Sequence, residues 1–330
     1  MGFAGLPARR TWRSCCPRRA SACWATAGLL WRLVRRPWGI FGTKADDLSA
    51  LLQKHWGVSI ALRELPAHPR WMINATCYET GKNWRFEHFR MGDYVFGYSN
   101  DMDVPLSDAL AASAGFPGLI GPLVMDTTRH RWFRYRQPAP DESGMNGGEQ
   151  DVRGKTEPVE PAFKRVHLWD GGVYDNHGLE GVHDFDAGWR QGVDFLIVSD
   201  GSGKPKAEKY RLGGVFLRII TGVMMDQIRS LRARAVMERI KNHGDQGVIL
   251  TIGNSCAAVL QAAGHQADAP TLCQTCLSAE DATRAALFPT TIRRLTDAEF
   301  ELLFRHGHEV ADYTLHGRYP DRFAHLAYRA

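Results

Sequence analysis

The residues whose types and spacing could do chemistry gather first around Asp170. The run Val166-His167-Leu168-Trp169 is β-type and leads straight to Asp170, Gly171 and Gly172, with Asn176 and His177 just beyond. A carboxylate at the carboxyl end of a strand stands where catalytic groups and ligands collect in open α/β sheets. Two glycines behind it let the backbone turn sharply and another group approach closely. A capping Asp in a strand-to-loop turn is the plain alternative. His167, His177 and His183 surround Asp170 in sequence, but turn and surface roles suit them better than a Ser-His-Asp triad.

Two further groups have suggestive chemistry. Cys273-x-x-Cys276, with Cys256 and His265 before it, offers the donor types of a zinc or redox site. The spacing from Cys256 and His265 fits no familiar metal motif. The run Ser199-Asp200-Gly201-Ser202-Gly203-Lys204 is glycine-rich like a phosphate loop. The spacing Gly-x-x-x-x-Gly-Lys is absent and Pro205 follows the lysine, so it is expected to be an ordinary loop.

The make-up of the chain bounds the elements that must hold these residues. With 330 residues, 44% hydrophobic and 23% charged, it has the composition of an ordinary globular protein, which excludes wholesale disorder. The net charge of +5 is unevenly spread: the first 38 residues hold eight arginines and no acid, and the remainder is close to neutral. Basicity therefore belongs to the N-terminus, and no nucleic-acid surface is expected on the fold. Seven cysteines, an odd number without framework spacing, point to a reduced, cytoplasmic protein. Residues 20–31 form an apolar run behind arginines, as in a secretory signal. Arg32, Arg35 and Arg36 close that run without a small-residue cleavage site, so secretion is not expected. No stretch reaches the length of a transmembrane helix.

Residues 1–37 keep neither helical nor strand periodicity and read as an irregular basic lead-in outside the fold. A helix is expected over 45–55, with Leu48, Leu51 and Leu52 on one face. An apolar strand over 71–76 and an alternating strand over 84–89 should form a hairpin around Glu79-Thr80-Gly81-Lys82-Asn83. Ser107 is placed to cap a helix running to Ser113. Residues 138–161, rich in Pro, Gly and acids, read as a mobile surface insertion. A helix near 186–191 and a buried strand over 194–198 follow. A long helical pattern over 212–240 carries basic residues on its outer side; packing on the sheet is the common role for such a helix, and contact with a membrane surface the other. A strand over 248–252 and a capping box at Thr296 and Glu299 complete the chain. Strands and helices alternate, which predicts an α/β fold with a mainly parallel central sheet flanked by helices.

Four segments, in this order, resemble the patatin-like lipid acyl hydrolases over most of residues 38–315. They are Ile73-Asn74-Ala75-Thr76 with Glu79-Thr80-Gly81; the run from Pro105 through Ala111-Ala112-Ser113-Ala114-Gly115-Phe116-Pro117-Gly118; Asp170-Gly171-Gly172 with Asn176; and the strand ending at Ser199. The second and third are the specific ones. The resemblance implies a three-layer fold around that mainly parallel sheet, and a serine–aspartate dyad hydrolysing phospholipid or other acyl esters without a cofactor or metal. Asp170 would be its general base, and Gly171 and Gly172 would leave room for serine and acyl chain. A lipid or acyl ester would be the partner, at a cytoplasmic or peripheral-membrane location.

The chain departs from the family pattern at the nucleophile. No Gly-x-Ser-x-Gly occurs in it, and no glycine-rich oxyanion loop precedes residue 45. The nearest imitation is Ala111-Ala112-Ser113-Ala114-Gly115, with Ser113 as candidate nucleophile; it follows a helical pattern where an elbow needs a strand. The expectation is a patatin-like domain over 38–330 that is incomplete, its N-terminal strands missing, with an exposed sheet edge that favours aggregation. The alternative is a catalytically dead module that binds lipid or serves as a scaffold.

Overall fold

The computed structural model describes residues 44–329 apart from 118, 136–155, 191, 203–208, 211–213, 216–217, 266, 268, 290 and 292. The basic lead-in, the greater part of the 138–161 insertion, and Gly203 and Lys204 lie outside the described residues.

Helix α1 (Lys44–Trp56) opens the described chain, with Asp46 and Asp47 in its first turn and Lys54 and His55 in its last, as the helix dipole favours. Strands β1 (Ile73–Cys77) and β2 (Lys82–Phe86) form the expected hairpin, Asn74 opposite Arg85 and Thr76 opposite Asn83. Two short strands follow, β3 (Met91–Asp93) and β4 (Gly97–Ser99). Helix α2 (Leu106–Ser113) comes next, then β5 (Leu123–Asp126), β6 (Trp132–Tyr135), β7 (Thr156–Val159) and β8 (Arg165–Asp170). These eight strands make one sheet in the order β5-β8-β1-β2-β3-β4-β6-β7, and every neighbouring pair runs antiparallel.

The mainly parallel, patatin-like three-layer sheet is thereby overturned. Connections as short as those between β1 and β2 or β3 and β4 cannot cross over a sheet, so the strands they join must be antiparallel. Part of the expected insertion is also a strand, since Thr156–Val159 pairs along β6. The parallel pairing that does occur among the described residues joins β11 (Leu196–Asp200) to β12 (Gly247–Thr251) in a separate two-stranded sheet. Even there β11 alternates between buried and exposed positions, with Ile197 49% exposed, so it lacks the second cover that an apolar run suggests.

One face of the large sheet carries the main core. Trp84, Phe96 and Trp132 meet there with ring centroids 4.8–5.6 Å apart, surrounded by Phe86, Met91, Leu123, Val166 and Leu168. Helices α1 and α2 share a buried polar seam. Ser49 Oγ donates to Asp108 Oδ1 at 2.5 Å and Gln53 Nε2 to Ser107 Oγ at 2.8 Å. Ser107 is thus a buried seam residue; Pro105 holds the cap position, without a side-chain cap.

Beyond β8, a four-residue helix α3 (Gly172–Asp175) leads to the small hairpin of β9 (His183–Asp184) and β10 (Gly188–Trp189). This hairpin replaces the helix expected near 186–191; Gly188 sits at φ +93°, where a helix cannot continue. A π-helical stretch (Arg218–Met224) precedes α4 (Met225–Asn242). Three of the four arginines of α4 turn toward acids outside the helix: Arg232 reaches Asp175 and Glu180, Arg239 reaches Asp245, and Arg229 reaches Asp200. Helices α5 (Cys256–Ala262), α6 (Ala269–Leu272) and α7 (Ala279–Ala286) complete the C-terminal part with α8 (Asp297–Arg318). Helix α8 opens with the expected reciprocal capping box of Thr296 and Glu299. Among the described residues, no helix is long and apolar enough to cross a membrane.

Candidate functional site

Asp170 is the last residue of β8, as its sequence context predicts, and lies opposite Ala75 of β1. Its main chain is held on three sides. Its N–H donates to the Gly115 carbonyl at 3.2 Å, its carbonyl accepts the Thr76 hydroxyl at 2.8 Å, and the next N–H, of Gly171, donates to the Ser113 carbonyl at 3.4 Å. Two segments of the sequence resemblance therefore meet the third at one point. Gly115 is crowded there: a Cβ would come within 2.8 Å of the Gly121 carbonyl and 3.4 Å of Asp170 N.

The carboxylate of Asp170 is half-buried. The Gly172 N–H donates to its Oδ1 at 2.7 Å, and among the described residues no donor reaches Oδ2. Burial raises the Asp170 pKa above its ordinary value, with the Gly172 hydrogen bond opposing that rise. Space is tight at both glycines, against backbone at Gly171 and against side-chain oxygens at Gly172. A Cβ on Gly171 would lie 2.4 Å from the Asn74 carbonyl oxygen; one on Gly172 would lie 2.8 Å from Asn176 Oδ1 and 3.0 Å from Asp170 Oδ1. The N–H groups of Gly171 and Gly172 are both engaged, so neither is free to hold an oxyanion.

Ser113 ends α2, and its main-chain carbonyl anchors Gly171. An elbow serine precedes its helix on a strained strand-to-helix turn, so Ser113 does not occupy that geometry. The histidines disperse. His167 Nδ1 lies 2.6 Å from Glu79 Oε1, His183 packs between Phe185 and Trp189, and His177 sits 3.4 Å from Asp200. No histidine among the described residues completes a triad with Asp170.

Asp200 is a residue whose role the sequence reading missed. It ends β11 and is followed by Gly201, the same strand-Asp-Gly signature that marks Asp170. The two loops are tied together: Asn176 Nδ2 donates to Ser202 Oγ at 2.9 Å, and His177 Nε2 stands 3.4 Å from Asp200 Oδ2. Between them, buried Asp175 accepts the Glu180 N–H at 2.8 Å and faces Arg232 at 3.6 Å. Asp200 also accepts the Ser202 N–H at 3.1 Å and pairs with Arg229 at 3.3 Å. Burial pushes its pKa up, but the His177 ring, Ser202 and the Arg229 charge outweigh burial and bring it down to about 2.

That depression has a stability consequence with a definite sign. The folded carboxyl titrates below its ordinary 3.8, so its stabilisation is present above pH 4 and is lost as pH falls through about 2. Asp200→Asn is expected to cost about 2 kcal/mol at neutral pH. The deficit should shrink toward zero between pH 4 and pH 2, as followed by urea unfolding at a series of pH values. A deficit that does not change with pH would show that packing, not charge, sets the effect.

The cysteines of the C-x-x-C do come together with Cys256: their three sulfurs lie within 4.8 Å of one another. His265 points elsewhere, its Nε2 2.9 Å from the Gly317 carbonyl oxygen. No family model, curated protein or solved structure matches this chain.

Proposed function

We propose that this chain carries the general base of a serine–aspartate acyl hydrolase acting on lipid or other acyl esters, with Asp170 as that base. The observation that carries the reading is the contrast between the two strand-end aspartates. Asp200 is clamped by Arg229 and held near pKa 2, which makes it a poor proton acceptor. Asp170 has its pKa raised by burial and one oxygen fixed by Gly172, and its other oxygen takes no hydrogen bond from the described residues. A base fixed in orientation and raised toward working pH is what proton abstraction from a hydroxyl requires.

In that chemistry a hydroxyl oxygen attacks the ester carbonyl carbon while its proton passes to Asp170 Oδ2. The tetrahedral intermediate then collapses, and the protonated carboxyl returns the proton to the departing alkoxide. Water repeats the sequence on the acyl group and regenerates both residues. No metal or cofactor enters these steps. The proposal assigns the base alone, because no Gly-x-Ser-x-Gly stands in the chain and Ser113 closes a helix instead of opening one.

The full chain is expected to react with a fluorophosphonate at a serine hydroxyl and to hydrolyse short-chain acyl esters. Mapping the labelled peptide identifies the nucleophile. Absence of both label and turnover would leave Asp170 a turn aspartate in a non-catalytic module that binds lipid or serves as a scaffold.

A further inference from the structure

We propose that Cys256, Cys273 and Cys276 form a thiolate site for a soft divalent metal of the zinc type when the Cys256–Cys273 disulfide is reduced. The three come from separate local structures. Cys256 begins α5 directly after the capping Ser255, Cys273 follows α6 with its N–H on the Ala269 carbonyl, and Cys276 closes a turn through its N–H on the Cys273 carbonyl at 3.1 Å. Each offers one sulfur, and the three sulfurs lie within 4.8 Å of one another. Thiolates around a tetrahedral zinc, each about 2.3 Å from the metal, stand roughly 3.8 Å apart. Once reduction frees the two bonded sulfurs, rotation of the Cys256 and Cys273 side chains can bring all three toward that spacing.

The disulfide between Cys256 and Cys273 uses two of the three sulfurs. Cys276 is left as a half-buried thiol whose sulfur donates to Tyr313 Oη at 2.8 Å, while Tyr313 in turn donates to the Leu272 carbonyl. The disulfide leaves this third sulfur outside the covalent link; a metal site uses all three. Arg305, hydrogen-bonded to the Thr275 carbonyl, is paired with Glu309 beside the cluster, so the two charges offset each other there. The fourth metal position would fall to water.

The surrounding packing gives such a site something to stabilise. The local cluster has three buried members, Cys256, Leu260 and Tyr313, with Val259, Ala269 and Leu272 partly buried against them. A cross-link or a metal would tie together the loops around so small an apolar cluster. Disulfide and metal would alternate. A dithiol reductant gives two electrons and two protons to the Cys256–Cys273 bond and leaves as its own cyclic disulfide; the metal then displaces protons from the three thiols.

The test uses the full chain, reduced with a dithiol under anaerobic conditions and titrated with Co²⁺ and then Zn²⁺. About one metal per chain is expected, with a sulfur-to-cobalt charge-transfer band that Zn²⁺ abolishes. The thermal midpoint of the reduced chain should rise with Zn²⁺, and that of the oxidised chain should not. Cys276→Ser should weaken binding on the order of 100-fold. Cys77→Ser, a buried cysteine outside the cluster, and Ser substitution of Cys15, Cys16 and Cys23 together should leave binding unchanged. The oxidised Cys276→Ser protein keeps its disulfide, so its melt against oxidised wild type checks folding. Should that variant fail to fold, alkylation of reduced wild type, which must abolish the band, replaces it. A missing thiolate band, or one that survives Cys276→Ser or alkylation, or that is lost with Cys77→Ser or the N-terminal substitutions, overturns the site.

Discussion

Asp170→Asn is expected to lower ester turnover by about 100- to 10,000-fold while leaving the folded state at least as stable as wild type. Asn keeps the shape of the side chain and can still accept the Gly172 N–H that now reaches Oδ1 at 2.7 Å. It cannot take a proton from an attacking hydroxyl. The stability half of the prediction follows from linkage. Burial raises the folded pKa of Asp170, so ionising it costs the folded state more than the unfolded chain. That cost is absent below the ordinary carboxylate range, grows as pH rises from 3.8 to the raised folded value, and is constant above it. A neutral amide removes the cost at every pH. The variant should therefore match wild type in acid and equal or exceed it at neutral pH, measured by urea midpoints. In wild type the acid limb of kcat/KM should lie above the ordinary aspartate value of 3.8. Retention of half the turnover by Asp170→Asn would end the general-base reading.

How much of this was legible in the sequence depended on the range of the interaction involved. The hairpin of β1 and β2 and the capping box of α8 are local, and their residues announce them. The position of Asp170 at a strand end was equally local. Sheet direction was not, because it rests on which strands pair. Met91–Asp93 and Gly97–Ser99 are three-residue strands, too short to show a period of two, yet they carry the hairpin succession that makes the large sheet antiparallel. The run at 194–198 misled for a related reason. Apolar composition suggested cover on both faces, while β11 has, among the described residues, one neighbour, β12, and exposes Ile197. Ser107 shows the same limit on a smaller scale, because a cap and a buried seam partner look alike until α1 packs against α2.

The site divides along the same line. Strand-Asp-Gly occurs at both Asp170 and Asp200, and the sequence alone does not separate them. They are told apart by Arg229, which reaches Asp200 from 29 residues away along the chain. Charge placed by the fold, not by neighbouring residues, decides which carboxylate can act as a base.

Gly171→Ala is expected to be the most destabilising small substitution in the site, at about 3 kcal/mol, or a fall in melting temperature of roughly 10 °C. The backbone at Gly171 has φ −62° and ψ −30°, which any residue adopts, so conformational strain is not the cause. Space is the cause. A Cβ there would meet the Asn74 carbonyl oxygen at 2.4 Å, its carbon at 2.8 Å and its Cβ at 3.0 Å. Asn74 lies in the interior of the sheet between β2 and β8, and its backbone cannot yield without breaking register with Arg85. Gly172→Ala should behave differently. Its Cβ would press on the side-chain oxygens of Asn176 and Asp170, which can rotate away, so the melt should fall less while turnover falls more. Gly307→Ala, at an exposed position of helix α8 with nothing within 4 Å, serves as the control and should gain up to about 1 kcal/mol. If Asp170 is the base, Asp170→Asn loses turnover without stability, Gly171→Ala loses stability first, and Gly172→Ala displaces the carboxylate in a protein that still folds. A Gly171→Ala protein that melts with wild type would mean that β8 does not pass β1 as closely as these distances require, and the orientation assigned to Asp170 would fall with it.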